Sequence, residues 1–199
     1  MKGQDFTILV AKDGAGGNGH MGGIIQDGKG NYYYVTMGAT ENASLLKMAT
    51  VGVKGEMIVQ PLTGAKSMGD AIAQAKGDTN NSPYTDQVTF KTDSKTDQKI
   101  FESVSKQADD INSGKEKYNV VTMNCTDAIE NPIEKATGIS LPDNTIPNKN
   151  FNNLKGEGGN IQKGLDLSSG KSKVETIPSG LDGAAPKKII LPNSHNNKN

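Results

Sequence analysis

The first forty residues carry short apolar runs separated by glycine- and aspartate-rich breaks. Residues 6–11 (Phe-Thr-Ile-Leu-Val-Ala) predict a buried first strand, being short and rich in β-formers. A glycine-dense stretch, Gly14–Gly19, follows and reads as a flexible loop. His20–Gln26 predicts a second strand and Asn31–Met37 a third. Between them, Asp27-Gly28-Lys29-Gly30 reads as a hairpin turn, because Asp-Gly tolerates the positive φ that such turns need. Glu56–Gln60 and Gln87–Lys91 are two further short strands, and Ser67–Lys76 is a short helix. Thr96–Asn112 predicts a longer helix in which Ile100, Phe101, Val104, Ala108 and Ile111 share one face. Thr96 or Asp97 caps it and Gly114 ends it.

Tyr118–Val121 leads into Asn124-Cys125. Cys125–Thr137 predicts a helix with Ala128, Ile129, Ile133 and Ala136 turned inward and Gly138 as its stop. Pro132 removes one backbone donor and is expected to kink or split it. From about residue 143, Asn, Lys, Gly, Ser and Pro dominate and apolar residues thin out, so little surface is left to offset the cost of ordering. The expected organisation is a folded domain over 1–142, a partly ordered extension over 143–160 and a flexible tail over 161–199. Lys187–Leu191 is a stray strand candidate within that tail. The fold class is α+β, an antiparallel sheet packed against helices.

Composition narrows the chemistry. The formal net charge is zero and arginine is absent. Bidentate phosphate and guanine recognition leans on arginine, and no lysine-rich block replaces it, so nucleic acid is not an expected partner. One cysteine cannot form an internal disulfide or a cysteine-rich zinc site, and no ligand-spaced cluster points to a metal; no cofactor is expected. No signal-peptide core and no stretch of transmembrane length occur. The Gly14–Gly19 loop precedes a strand rather than opening a helix, and lacks the Gly-Lys-Ser/Thr ending of a phosphate-binding loop.

Nucleophilic chemistry has few candidates. Cys125 is the single cysteine, and of two histidines His195 lies in the tail, leaving His20 in Gly-Asn-Gly-His-Met-Gly-Gly. Asn124 has N-cap chemistry, which places Cys125 in the first turn of its helix. Free amides and the helix dipole there lower a thiol pKa from about 8.5 and can hold an oxyanion. A thiolate needs a proton-handling partner, and His20 is the one available. The glycines around His20 leave the backbone open to a close neighbour. A third group that orients the histidine belongs on the returning hairpin strand, where Thr36 and Tyr34 share a face. Thr36 is the first choice and Tyr34 the second.

These two segments resemble the permuted branch of the NlpC/P60 papain-like superfamily. The first, Gly19-His20-Met21-Gly22-Gly23-Ile24-Ile25 with Asp27-Gly28 and Tyr33-Tyr34-Val35-Thr36, is similar to that family's histidine strand, glycine turn and returning strand. The second, Tyr118 to Asp127 around Asn124-Cys125 and closing with Ala136-Thr137-Gly138-Ile139, is similar to its Asn-Cys helix. Histidine precedes cysteine, as in that branch. Thr36 stands where the family often carries histidine, asparagine or glutamine.

The resemblance implies a papain-like fold and a Cys125–His20 dyad that cleaves amide bonds in peptidoglycan peptides. Relatives of this type occur as toxin modules of type VI secretion and Rhs-type proteins. An antibacterial effector is therefore expected: monomeric, made in the bacterial cytoplasm, exported without a cleavable signal and acting in a target cell's periplasm. A cognate immunity protein and a secretion-machine carrier are its expected partners. Two alternatives stand beside it. One is the same dyad acting on a lipid or host-protein acyl group, as a lipase, deamidase or ubiquitin-like protease. The other is a non-enzymatic binding module in which Cys125 is a core thiol.

Overall fold

The structure, a computed structural model, describes residues 5–77 and 83–169. Five strands form one sheet: β1 (Asp5–Ala11), β2 (His20–Gln26), β3 (Tyr32–Ala39), β4 (Gly55–Pro61) and β5 (Asp86–Lys91). The order across it is β4-β3-β2-β1-β5, with every neighbouring pair antiparallel. Six helical segments accompany it: α1 (Gly14–Gly17), α2 (Leu45–Thr50), α3 (Met68–Gly77), α4 (Ser94–Asn112), α5 (Asp127–Thr137) and α6 (Pro147–Ser168). The fold is thus α+β, as the alternation of strand and helix periods predicts.

Strand alternation splits the core into two. Ile8, Val10, Met21, Ile25, Val35 and Met37 face one side and pack with α4, α5 and α6. Leu9, Ile24, Tyr32 and Tyr34 face the other, with Leu62, Ala71, Ile72 and Ala75 around α3 and with Tyr84. On α4 the predicted face is buried at Ile100, Val104, Ala108 and Ile111, while Phe101 is partly buried and its ring lies 4.6 Å from that of Tyr33. Each fully buried isoleucine contributes about 1.5–3 kcal/mol. The cap of α4 is Asp93, which accepts the Thr96 amide, rather than Thr96 or Asp97.

The hairpin turn forms at the expected residues. Asp27 Oδ1 accepts the amides of Lys29 and Asn31, but the positive φ falls on Gly30 (81°) rather than on Gly28. Gly28 instead lies against Gln98, which accepts its amide.

Both sheet edges are covered by side-chain amides. Asn112 accepts the Met57 amide and donates to the Met57 carbonyl on β4. Gln162 does the same for Lys91 on β5. This satisfies backbone groups that would otherwise template a further strand.

Three expectations need correction. The folded part does not taper off after residue 142: α6 runs to Ser168 and buries Phe151, Leu154, Ile161 and Leu165 in the main core, so residues 161–168 belong to the domain. Four widely spaced apolar residues suffice because they share one helical face. Pro132 does not split α5; it is buried in a helix that continues to Thr137 and closes on Gly138 at φ 73°. The glycine segment is tied down: Asn148 of α6 donates to the carbonyls of Lys12 and Gly17, and its own amide donates to the Asn18 carbonyl. The Lys187–Leu191 candidate and the rest of the predicted tail lie outside the described residues.

Helix α6 is also bound to α5 through a buried polar pair. Asn150, fully buried, donates to both carboxyl oxygens of Glu130 at 2.8 Å. Burial first, and then the charges of Asp127, Glu134 and Asp143, push the Glu130 carboxyl up to about 8 against the bond from Asn150. At neutral pH this favours the protonated carboxyl, while the Asn150 carbonyl oxygen is buried without a partner among the described residues.

A group whose folded pKa is raised binds its proton more tightly when folded. Its contribution is complete below the unfolded value of 4.5 and is lost as pH rises toward about 8. Glu130→Gln keeps an acceptor for Asn150 but cannot ionise. The difference in Tm between Glu130→Gln and wild type is expected to grow in the variant's favour from pH 5 to pH 8.5, read by thermal melts at each pH.

Candidate active site

The amino end of α5 is built by reciprocal capping. Asn124 Oδ1 accepts the Thr126 amide, Asp127 Oδ2 accepts the Asn124 amide, and the Ala128 amide donates to the Asn124 carbonyl. Cys125 is thus held at the amino end, two residues ahead of the regular helix. Its thiol lies within hydrogen-bonding reach of the Met21 backbone, its own amide and the Thr126 side chain. Met21 follows His20 on β2, so the cysteine is pinned one residue from the histidine.

His20 is the first residue of β2, paired with Ala11 at the end of β1. Gly14 packs beneath it, where a Cβ would come within 2.8 Å of the histidine's own. Its Nε2 is hydrogen-bonded to Thr36 Oγ1 at 2.8 Å, across the β2–β3 register that pairs Gly22 with Thr36. Alternation puts His20 and Thr36 on the face shared with Tyr34, while Cys125 packs on the opposite face. The two groups are held at one end of the sheet from its two sides, and the imidazole's Nδ1 is the nitrogen that Thr36 leaves for other partners.

Tyr34 does not occupy the orienting position. Its hydroxyl meets that of Tyr84 at 2.6 Å. Tyr84 escapes a reading by motif. It is buried, its hydroxyl lies near enough to the Thr36 side chain to feel its hydroxyl proton, and its ring lies beside the His20 ring at 6.4 Å between centroids and 26° between planes. The signal for it was the bare backbone at Gly22, where a Cβ would fall 2.2 Å from the Tyr84 hydroxyl oxygen. No motif in residues 38–95 names the side chain that fills that hollow.

The electrostatics differ from expectation. Burial pushes the Cys125 thiol pKa up, outweighing the amides that favour thiolate, and Asp127 adds to the rise. Burial also pushes the His20 pKa down. A helix amino end lowers a thiol pKa only if water or an opposite charge solvates the anion, and Cys125 is 5% exposed. Both shifts favour the neutral thiol and neutral imidazole over an ion pair. Tyr118, raised by burial and by the nearby Cys125 and Asp127 to about 12, stays protonated beside them.

The surroundings are partly apolar. The β3–β4 connection leaves the sheet at the end where His20 lies, and its helix α2 buries none of its residues. Leu45, Leu46 and Val51 are exposed there, and so is Val121, in the turn just ahead of Cys125. Asn119, in the same turn, donates to the Ala49 carbonyl, and Val53 bridges to Tyr118. A separate cleft of about 750 Å³ lies between residues 139–143 and α6, and includes none of His20, Thr36 or Cys125. Among the described residues no group of three or more His, Cys, Asp or Glu is placed to hold a metal ion, and no helix is long and apolar enough to cross a membrane.

The sequence matches no protein-family model and no curated protein. Among solved structures, the chain is similar to the crystal structure of the type VI secretion system effector TseH. The TM-score is 0.56 at 14% identity, over 77% of this chain and 88% of that one. At this identity the likeness is one of fold.

The neutral pair has a measurable consequence. Iodoacetamide is expected to modify Cys125 slowly at pH 7 in the folded protein, with a rate that climbs steeply toward pH 10, and quickly at pH 7 once the chain is unfolded. A fast, pH-independent reaction from pH 6 upward in folded protein would show a preformed thiolate instead.

Proposed function

We propose that the chain is a cysteine hydrolase that cleaves amide bonds of peptidoglycan peptides. The observation that carries this reading is the hydrogen bond between His20 and Thr36 at a strand start whose next residue, Met21, has its backbone beside the Cys125 thiol. His20 takes the thiol proton at Nδ1 as sulfur attacks the amide carbonyl. The amides of the α5 amino end receive the oxyanion, and the imidazolium then protonates the leaving amine. Water, deprotonated by His20, releases the acyl group and regenerates the thiol. Because thiol and imidazole rest neutral, proton transfer accompanies attack rather than preceding it, as with a serine nucleophile.

Cys125 is buried, so the reaction includes a local opening at this end of the sheet. The resemblance to the permuted NlpC/P60 branch supplies the substrate class and with it a target cell's periplasm as the place of action, and the fold likeness to TseH supports an effector of a type VI machine. A cognate immunity protein belongs to the same reading.

One observation favours a second substrate class. The exposed Leu45, Leu46 and Val51 around α2, with Val121 in the turn ahead of Cys125, suit an acyl chain better than a polar stem peptide. In that reading the same dyad attacks a lipid ester or amide.

The test is incubation of purified sacculi with wild type, Cys125→Ala, His20→Ala and Thr36→Val, with fragments read by mass spectrometry. New termini are expected from wild type, none from the first two variants. Thr36→Val is expected to retain activity reduced about fivefold or more, since the hydrogen bond it removes is worth about 1 kcal/mol. Intact sacculi in every sample, together with Cys125-dependent release of fatty acid from phospholipid vesicles, would replace the peptidase reading with the lipid one.

A further inference from the structure

We propose that Tyr84 is a positioning residue of this site: its hydroxyl accepts the Thr36 proton and so holds His20 as the tautomer protonated on Nε2. The proposal rests on the reading of His20 as the base. Four groups form a row, from His20 Nε2 through Thr36 Oγ1 and the Tyr84 hydroxyl to the Tyr34 hydroxyl. Each neutral member has one proton to give. For His20 to take the thiol proton at Nδ1, as the proposed function requires, that nitrogen needs its lone pair, so the imidazole proton must sit on Nε2 and Thr36 must accept it there.

The Thr36 hydroxyl then needs an acceptor of its own. Tyr84 is the group in place, and Tyr84 in turn donates to Tyr34. With Tyr84 removed, Thr36 is free to donate to Nε2, which drives the imidazole proton to Nδ1 and disarms the base. Hydroxyl protons alone choose between the two states, because a threonine serves either tautomer equally well. An asparagine or a glutamine in that position would accept through its carbonyl and need no such help.

The packing supports a role beyond filling space. What enters the hollow over Gly22 is the Tyr84 hydroxyl, the atom a phenylalanine lacks, and there it meets the Tyr34 hydroxyl and neighbours that of Thr36. The ring is seated beside the imidazole, so the relay and the base share one wall.

The experiment is long-range ¹H–¹⁵N correlation spectroscopy of histidine side chains at pH 7.5. It is carried out in a His195→Gln background so that one imidazole remains. Wild-type Tyr84 is expected to give the Nε2–H pattern. Tyr84→Phe, which keeps the ring, is expected to give a mixture or the Nδ1–H pattern. Its kcat on sacculi should fall several-fold with KM unchanged, while its backbone amide spectrum stays dispersed as in wild type.

An Nε2–H pattern unchanged in Tyr84→Phe would overturn the role of Tyr84 and leave His20 intact as the base. An Nδ1–H pattern in the wild type would overturn both. The tautomer readout needs no substrate, so a failure to digest sacculi does not touch it.

Discussion

The site depends on how closely the middle strand of the sheet can be approached. Strand β2 has neighbours on both edges and layers on both faces, and two of its seven residues, Gly22 and Gly23, carry no side chain. On one face the space above Gly22 is taken by the Tyr84 hydroxyl. On the other, Ile129 of α5 rests against Gly23, with both its methyl carbons 3.4 Å from where a Cβ would be. Alanine at 23 would bring its methyl into close contact with Ile129, and any larger side chain would press on α5, which carries Cys125 at its amino end. The strand that supplies the histidine thus also sets the height of the helix that supplies the cysteine, and one backbone amide, that of Met21, joins them. Two glycines bring both layers close to a single dipeptide, His20-Met21.

The same closeness governs the charge states. A strand packed from both sides excludes water, and desolvation is the largest cause of the shifts at Cys125, His20 and Glu130 alike. Each of these groups is driven toward its neutral form. The oxyanion amides and the helix dipole remain in place, but they stabilise charge only when charge develops. An arrangement of this kind keeps a thiol unreactive toward small oxidants and electrophiles; in the reaction proposed for it, the thiol is activated only when a substrate opens the site and a proton can move to His20. Asp127 shows the compromise directly. Its carboxylate caps Asn124, which orders the turn holding Cys125, while its charge raises the thiol further.

Local signals were legible in the sequence where the responsible neighbours are close along the chain. The hairpin, the three strand segments beyond it and α4 follow from period and turn chemistry within windows of ten to twenty residues. Histidine at a strand start and cysteine at a helix start were readable because each motif is local, and Thr36 followed from the hairpin register. Tyr84 was not, because its selection depends on a hollow over Gly22, sixty-two residues earlier, and nothing near Tyr84 records that hollow. The buried thiol was misjudged for a related reason: a helix amino end is visible in the sequence, whereas the layers that dehydrate it are not. Helix α2 was missed because it buries nothing and so carries no apolar period.

Helix α6 shows what composition conceals. Its sequence, rich in asparagine and glycine, has the texture of a linker, and Gly156, Gly158 and Gly159 touch nothing that would explain them. Yet each of its polar contacts serves a specific backbone or carboxyl. Asn148 fastens the loop that leads into His20, Asn150 engages Glu130 five residues after Cys125, and Gln162 pairs with Lys91 on the β5 edge. Phe151 and Leu154 anchor the same helix in the core beneath them. A side-chain amide can mimic a peptide group, donating and accepting at once, so asparagine and glutamine can finish a sheet edge or a loop where an apolar side chain cannot. Removing α6 would therefore release the Gly14–Gly19 segment and strip the packing from beneath Gly19. His20 would lose the fixed entry that lets Thr36 find its ring. A segment whose composition argues for no more than a partly ordered extension is, in the folded protein, a support of the histidine strand.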